Sequence, residues 1–361
     1  MKAEIKSLTG LRGVAAFIVV LYHFGEPYNT LGIDTHFRIP QGYLAVDLFF
    51  VLSGFVLSYT YADYFAERLT AEKFRHFLIR RIARLYPAYL VIMVLYLAKM
   101  AFNFAGINPF EAYRLSDISG NLFMLTGWGM GVKPVIGDSW SVSAEVAAYL
   151  LFPILVTVTV FGRRSTAVAA ALVAGGTLVA VAATGLGVKG PMDVVLNSSP
   201  YPLLRCIAGF SIGLLAFRTW RSQSARRCLS GNLATCIILF ISGACLIFHA
   251  HDLIVLGCFP AFVVILSCQS AIARTLFANR IVIWLGEVSY SLYLVHIICV
   301  STAVRMAKLV QLRFGVDAYW LMTIAGVAIA CGLAWASYQW IEMPGKRIVL
   351  GLVRARRARP V

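Results

Sequence analysis

Charge is scarce in this chain, and acidic charge is scarcer still. Of 361 residues only 13% are charged, with 16 Asp and Glu against 32 Lys and Arg, while 60% are hydrophobic. A soluble domain holds nearer a quarter charged residues. The composition therefore excludes an ordinary soluble globular protein and points to a polytopic membrane protein. No C-x-x-C pair occurs among the eight cysteines, most of which lie in apolar runs. That argues against a disulfide framework or a cysteine zinc site and leaves them as small helix residues. His249 and His251 stand too close in sequence to share a helix face, so no metal is expected. The net charge of +16 comes without the basic-aromatic interleaving of a nucleic-acid-binding domain. No nucleic-acid partner is expected; basic loops facing an anionic lipid surface are. Internal repeats of the kind many transporters carry are not apparent. Arg12 interrupts the first apolar run and no small-x-small cleavage site follows it, so the run reads as a retained span, not a signal peptide.

Ten apolar segments approach the twenty residues that a span needs, approximately 8–25, 43–62, 84–105, 139–161, 166–186, 201–219, 232–250, 253–272, 281–304 and 319–341. The expected fold class is an all-α membrane helical bundle. An even count puts both termini on one side. With a cytoplasmic N-terminus the inner stretches hold about 23 Lys and Arg and the outer ones about 8, so both termini are expected in the cytoplasm. Glu26 to Gly42 reads as an outer coil, and 106–138 as the longest outer loop.

The first segment, LTGLRGVAAFIVVLYHF, carries two ionisable groups. Arg12 and His23 are eleven residues apart, which places them about 20° apart around a helix and about 16 Å along it. Ionisable side chains within a span face a protein interior or a wet cavity. A cation and a proton-transfer group on one face suit an elongated anionic ligand. Asp47 stands near the outer end of the second span, open to an ion pair within the bundle or to a role beside a histidine. Ser53 and Gly54 are small mid-span residues that permit close approach. In KFRHFLIRRIARLYPAYL, a helix gathers Arg80, Arg81 and Arg84, whose forks suit phosphate oxygens; the same cluster serves equally as a positive-inside signal. Pro87 kinks or starts the third span. In SWSVSAEVAAYLLFP, Trp140 reads as an interface anchor. Glu145 is deep enough that it must pair with His23 or an arginine. His296, beside Tyr290 and Tyr293, is a second intramembrane histidine, structural or functional. Pro344 is expected to stop the last helix after Glu342.

Taken in order, the chain resembles the membrane acyltransferase-3 family, bacterial enzymes that O-acylate glycans, lipids and small metabolites. The resemblance rests on the R-x10-H pair Arg12 and His23, on GYLAVDLFFVLSGFVLS, on RRIARLYPAYL with Arg81 and Arg84, on SWSVSAEVAAYLLFP with Glu145, on GEVSYSLYLVH with His296, and on the terminal IEMPGKR. It implies an acyltransferase domain over 1–345 in a bacterial inner membrane, with a basic cytoplasmic tail over 346–361. It also implies a cytoplasmic acyl-coenzyme A donor, acetyl-coenzyme A above all, with no metal. The acceptor would be a hydroxyl of a glycan, lipid-linked saccharide or small molecule, as in exopolysaccharide biosynthesis alongside polysaccharide-assembly proteins. On this reading His23 is catalytic, with Glu145 or Asp47 to orient it, and acts either as base or as acyl-carrying nucleophile. Arg12, Arg81, Arg84 and Arg80 hold the donor, and His296, Trp140 and Ser53 support the site. Ala147 and Ala148 depart from the bulkier or polar residues of many relatives and alter the expected acceptor pocket. No fused extracytoplasmic hydrolase-like domain is read, so an acyl relay is expected to end on the acceptor or on a separate protein. A proton-coupled secondary transporter and a non-catalytic lipid-binding scaffold remain the other readings.

Overall fold

A computed structural model describes residues 3–30, 39, 41–67, 69–101 and 112–357. Most of the expected coil between Glu26 and Gly42, the start of the long loop and the tail beyond 357 lie outside the described residues. Those described form α-helices and short 3-10 or π turns, with no strand among them. The long helices are α1 (Lys6–Thr30), α2 (Ala45–Phe65), α3 (Ala71–Ala101), α5 (Ser139–Val156), α6 (Arg164–Ala183) and α7 (Tyr201–Arg221). They continue with α9 (Asn232–Ile247), α10 (Asp252–Ser267), α12 (Arg280–Phe314), α13 (Tyr319–Ser337) and α14 (Met343–Arg357). Short helices α4 (Leu115–Leu122), α8 (Gln223–Leu229) and α11 (Ala271–Phe277) lie between them.

Eight helices, counting α13 and α14 as one, are long and apolar enough to cross a membrane. The count rises to ten if each of two bent pairs is one span: α8 with α9, bent by 74°, and α10 with α11, bent by 104°. Charge is too sparse to solvate these helices, so burial sorts them. α2 is the most enclosed and α6 among the least, with Leu172 and Val173 exposed. Such apolar faces suit lipid. The protein is a multi-pass membrane protein.

Close backbone approach sets the centre of the bundle. α1 and α12 run parallel, and a Cβ on Gly13 would meet the Gly286 backbone, while one on Gly286 would meet the Thr9 carbonyl. Small residues at helix crossings allow this contact in a membrane, where packing must stand in for the hydrophobic effect. α2 meets α7 in the same way, with Gly54 against the Phe210 carbonyl.

Several boundaries differ from the sequence reading. α1 continues through Thr30 instead of ending at 25. The arginine cluster and the third span form one helix with Pro87 inside it, and Gly345 of α14 packs on the Pro87 ring. Pro344 does not stop the last helix. A π turn at Tyr338–Glu342 turns Glu342 inward to Ser291 (2.9 Å), and Pro344 falls in the first turn of α14, where its missing N–H costs least.

Candidate active site

Two polar regions lie at different levels of the α1–α12 pair. At the Arg12 level, Arg12 donates from Nε (3.1 Å) and Nη2 (2.7 Å) to the Gly286 carbonyl. Gly286 is the close-approach residue, so the contact that joins the helices also seats the guanidinium. A cavity of about 430 Å³ opens here, and its wall includes Arg12, Arg81, Arg84, Ser53, Glu145 and Tyr293. Arg81 donates to the Tyr61 hydroxyl (3.0 Å) and lies over its ring. Its Nε is buried with no hydrogen-bond partner. Ser53 donates to Glu145 Oε1 at 2.5 Å. Arg80 is not in the wall; its Nε faces His76 Nε2 at 3.2 Å, because one position of rotation from Arg81 turns it off the cavity side of α3.

At the other level, two histidines converge on one carboxylate. His23 Nε2 is 3.4 Å and His296 Nε2 3.3 Å from Asp138 Oδ2. Each ring is oriented from its other nitrogen. His23 Nδ1 meets the Val19 carbonyl at 2.9 Å, and His296 Nδ1 the Tyr293 carbonyl at 2.7 Å. Those carbonyls accept, so both Nδ1 atoms carry the proton and both Nε2 atoms are left to act as base or, once protonated, to donate to Asp138. His296 Nε2 also lies 3.2 Å from His23 Nδ1. His296 is fully buried, whereas His23 and Asp138 keep 24% and 20% of their side chains accessible. The exposed edge of the group is therefore on His23 and Asp138, not on His296.

Asp138 precedes the fourth apolar span and occupies the N-cap position of α5, yet its side chain makes no cap hydrogen bond. It serves the histidines instead. Burial alone would raise its pKa; His23 and His296 outweigh that and hold it down to about 2. The segment that delivers it is stitched through buried Asn121. Asn121 Nδ2 donates to the Lys133 carbonyl (2.8 Å), its Oδ1 accepts from the Val135 N–H (2.9 Å), and its carbonyl accepts from Tyr89 of α3 (3.1 Å).

The site residues expected from sequence are thus divided. Arg12, Arg81, Arg84, Ser53 and Glu145 share the cavity; His23 and His296 share the second group. The carboxylate beside His23 is Asp138, not Asp47 or Glu145. Asp47 is fully buried in a bidentate pair with Arg205, at 2.7 and 2.5 Å. Trp140 is buried over that pair, 5.4 Å from the guanidinium, and is not an interface anchor. Ala147 and Ala148 are buried and line no part of the cavity. Asp138 was missed because an acid at a helix start reads as a cap. Arg205 had a usable signal: an arginine inside YPLLRCIAGF requires a buried partner. The donor atoms of His23, Asp138 and His296 lie within 4.8 Å of one another and could also hold a cation. Sequence spacing hides such a set, because its members come from α1, the α5 cap and α12.

A histidine–carboxylate group thus stands beyond an arginine-lined cavity inside a multi-pass helical bundle. The chain belongs to the acyltransferase-3 family: residues 5–339 match its Acyltransferase domain. It is 24% identical over a 365-residue alignment to OatA, the peptidoglycan O-acetyltransferase of Listeria monocytogenes, covering 94% of this chain and 55% of OatA. A Bacillus subtilis protein provisionally named peptidoglycan O-acetyltransferase YrhL is 25% identical over 378 residues, covering 94% and 54%. Protein 2 in picA locus of Rhizobium radiobacter is 42% identical over 164 residues, covering 40% of this chain and 78% of that one. The chain spans about half the length of the two peptidoglycan relatives. No solved structure matches it.

Proposed function

We propose that the protein is an O-acetyltransferase that moves an acetyl group from acetyl-coenzyme A, entering at the Arg12 level from the cytoplasm, to a hydroxyl of a cell-envelope glycan presented at the His23 level. The observation that carries this is the separation of the two regions along the bundle: cavity-lining arginines at one level and two imidazole Nε2 atoms beside one carboxylate at the other. Family membership supports transfer over transport or scaffolding. The glycan rests on the relatives named for peptidoglycan.

Arg12, Arg81 and Arg84 pair with the donor's phosphates, and the acyl arm runs up the cavity. His23 Nε2 takes the acceptor hydroxyl proton as the oxygen attacks the thioester carbon. The carbon–sulfur bond breaks, and the imidazolium returns the proton to sulfur, giving the acetyl ester and coenzyme A. Asp138 holds the imidazolium in place, with His296 securing Asp138 from the buried side. A carboxylate beside the ring, able to stabilise the imidazolium that a base forms, favours His23 as base over acyl carrier. With labelled acetyl-coenzyme A and envelope glycan, the reconstituted protein should form alkali-labile labelled ester, and the His23→Gln protein should not. Equal labelling by the two would remove His23 from the reaction.

A further inference from the structure

The cavity wall includes Phe49, Ser141, Tyr290 and Tyr293 but none of His23, Asp138 or His296. Tyr293 lies between. Its ring lines the cavity, sits 6.4 Å from that of Phe49, and lies 5.7 Å from that of His296. Its hydroxyl is 2.6 Å from Ser141 Oγ and donates to the Asp138 carbonyl at 3.1 Å. Ser141 is itself 3.2 Å from that carbonyl. The ring is therefore fixed at its tip to the first turn of α5 and at its root to α12, and its own carbonyl orients His296.

A base that activates an acceptor hydroxyl also activates water. In either reaction an O–H proton goes to the imidazole, a carbon–oxygen bond forms, the carbon–sulfur bond breaks, and the proton ends on sulfur. Only the oxygen source differs, so chemistry at His23 cannot choose between them. Choice requires keeping the thioester from the base until the acceptor has displaced water.

We infer that Tyr293, latched by Ser141, is the partition between the donor cavity and the histidine–carboxylate group, and that it determines specificity for acceptor over water. The inference rests on the proposed transfer reaction. It gives Tyr293 and Ser141 a role in positioning, not in proton transfer.

The test is release of free coenzyme A thiol from acetyl-coenzyme A by the full chain in proteoliposomes, without acceptor. Tyr293→Phe keeps the ring and loses the latch; Ser141→Ala removes the partner and leaves the ring intact. Ser141→Ala should raise acceptor-free release roughly three- to tenfold, as the loss of one buried hydrogen bond allows, and Tyr293→Phe, which also loses the contact to the Asp138 carbonyl, by at least as much. Ser141→Thr should restore the wild-type value, and adding His23→Gln to Tyr293→Phe should return it to background. Wild-type release by both Tyr293→Phe and Ser141→Ala, with label still transferred to envelope glycan by the wild type, would overturn the partition and leave the transfer reaction standing. If wild type and variants all match His23→Gln and no glycan is labelled, the transfer reading fails and the partition with it.

Discussion

Asp138 Oδ2 lies 3.3 Å from His296 Nε2, and that Nε2 has no solvent-exposed surface around it. A fully buried imidazole on the far side of a carboxylate cannot meet an acceptor, while His23, on the near side, can. His23→Gln keeps a hydrogen-bonding side chain but no base, and should lower acetyl transfer by about 10²- to 10⁴-fold. His296→Gln should lower it about tenfold or less, since it loosens Asp138 without removing the base. Transfer rates of the two purified proteins, compared at equal thermal stability, check this ordering.

Asp138 should also mark the acid stability of the protein. Its carboxyl is held down to about 2 from an ordinary 3.8, so the charged form is favoured in the fold. A depressed carboxylate contributes stability above its unfolded pKa and loses it as pH falls towards the folded value. The contribution is about 2 kcal/mol by order of magnitude. Asp138→Asn should therefore be less heat-resistant than wild type near pH 5, and the margin should shrink as pH falls below about 4. An equal margin at about pH 5 and about pH 2.5 would detach Asp138 from this linkage.

The arginines divide by where their forks point. Lysine keeps charge and topology but cannot make the planar, bidentate contact. Arg81→Lys with Arg84→Lys should raise KM for acetyl-coenzyme A about tenfold with kcat little changed. Arg80→Lys should leave both near wild type, because Arg80 faces His76 outside the cavity. Donor kinetics at saturating acceptor separate the cases.

The Asp47–Arg205 pair predicts a stability effect instead of a catalytic one. Asp47→Ala strands a buried guanidinium and should cost about 3–5 kcal/mol. Replacing both, Asp47→Leu with Arg205→Met, should recover most of that loss and retain acetyl transfer. Thermal unfolding in detergent measures the first effect, and activity of the double variant the second. A stable but inactive double variant would return Asp47 to the chemistry.

Composition and periodicity alone determined that this is a helical membrane protein, because 60% apolar residues with 13% charge cannot cover a soluble surface. Helical geometry also placed Arg12 and His23 on one face at different depths, since 3.6 residues per turn is a local constraint. Which carboxylate meets His23 is not local. Asp47 and Asp138 stand at or near span ends in the sequence and Glu145 further into a span, and only the packing of α1 against α12, α2 against α7 and the Asn121-stitched segment against α3 tells which of them meets His23. That packing gives Asp47 to Arg205, Glu145 to Ser53 and the cavity, and Asp138 to the two histidines. Tyr293 likewise reads as one more aromatic in SYSLYLVH until the fold lays its hydroxyl against Ser141, 152 residues away in the chain. Tertiary structure decided these pairings because a buried charge takes whichever partner the closest helix approach brings within reach, and closest approach is set by glycines on helices distant in sequence.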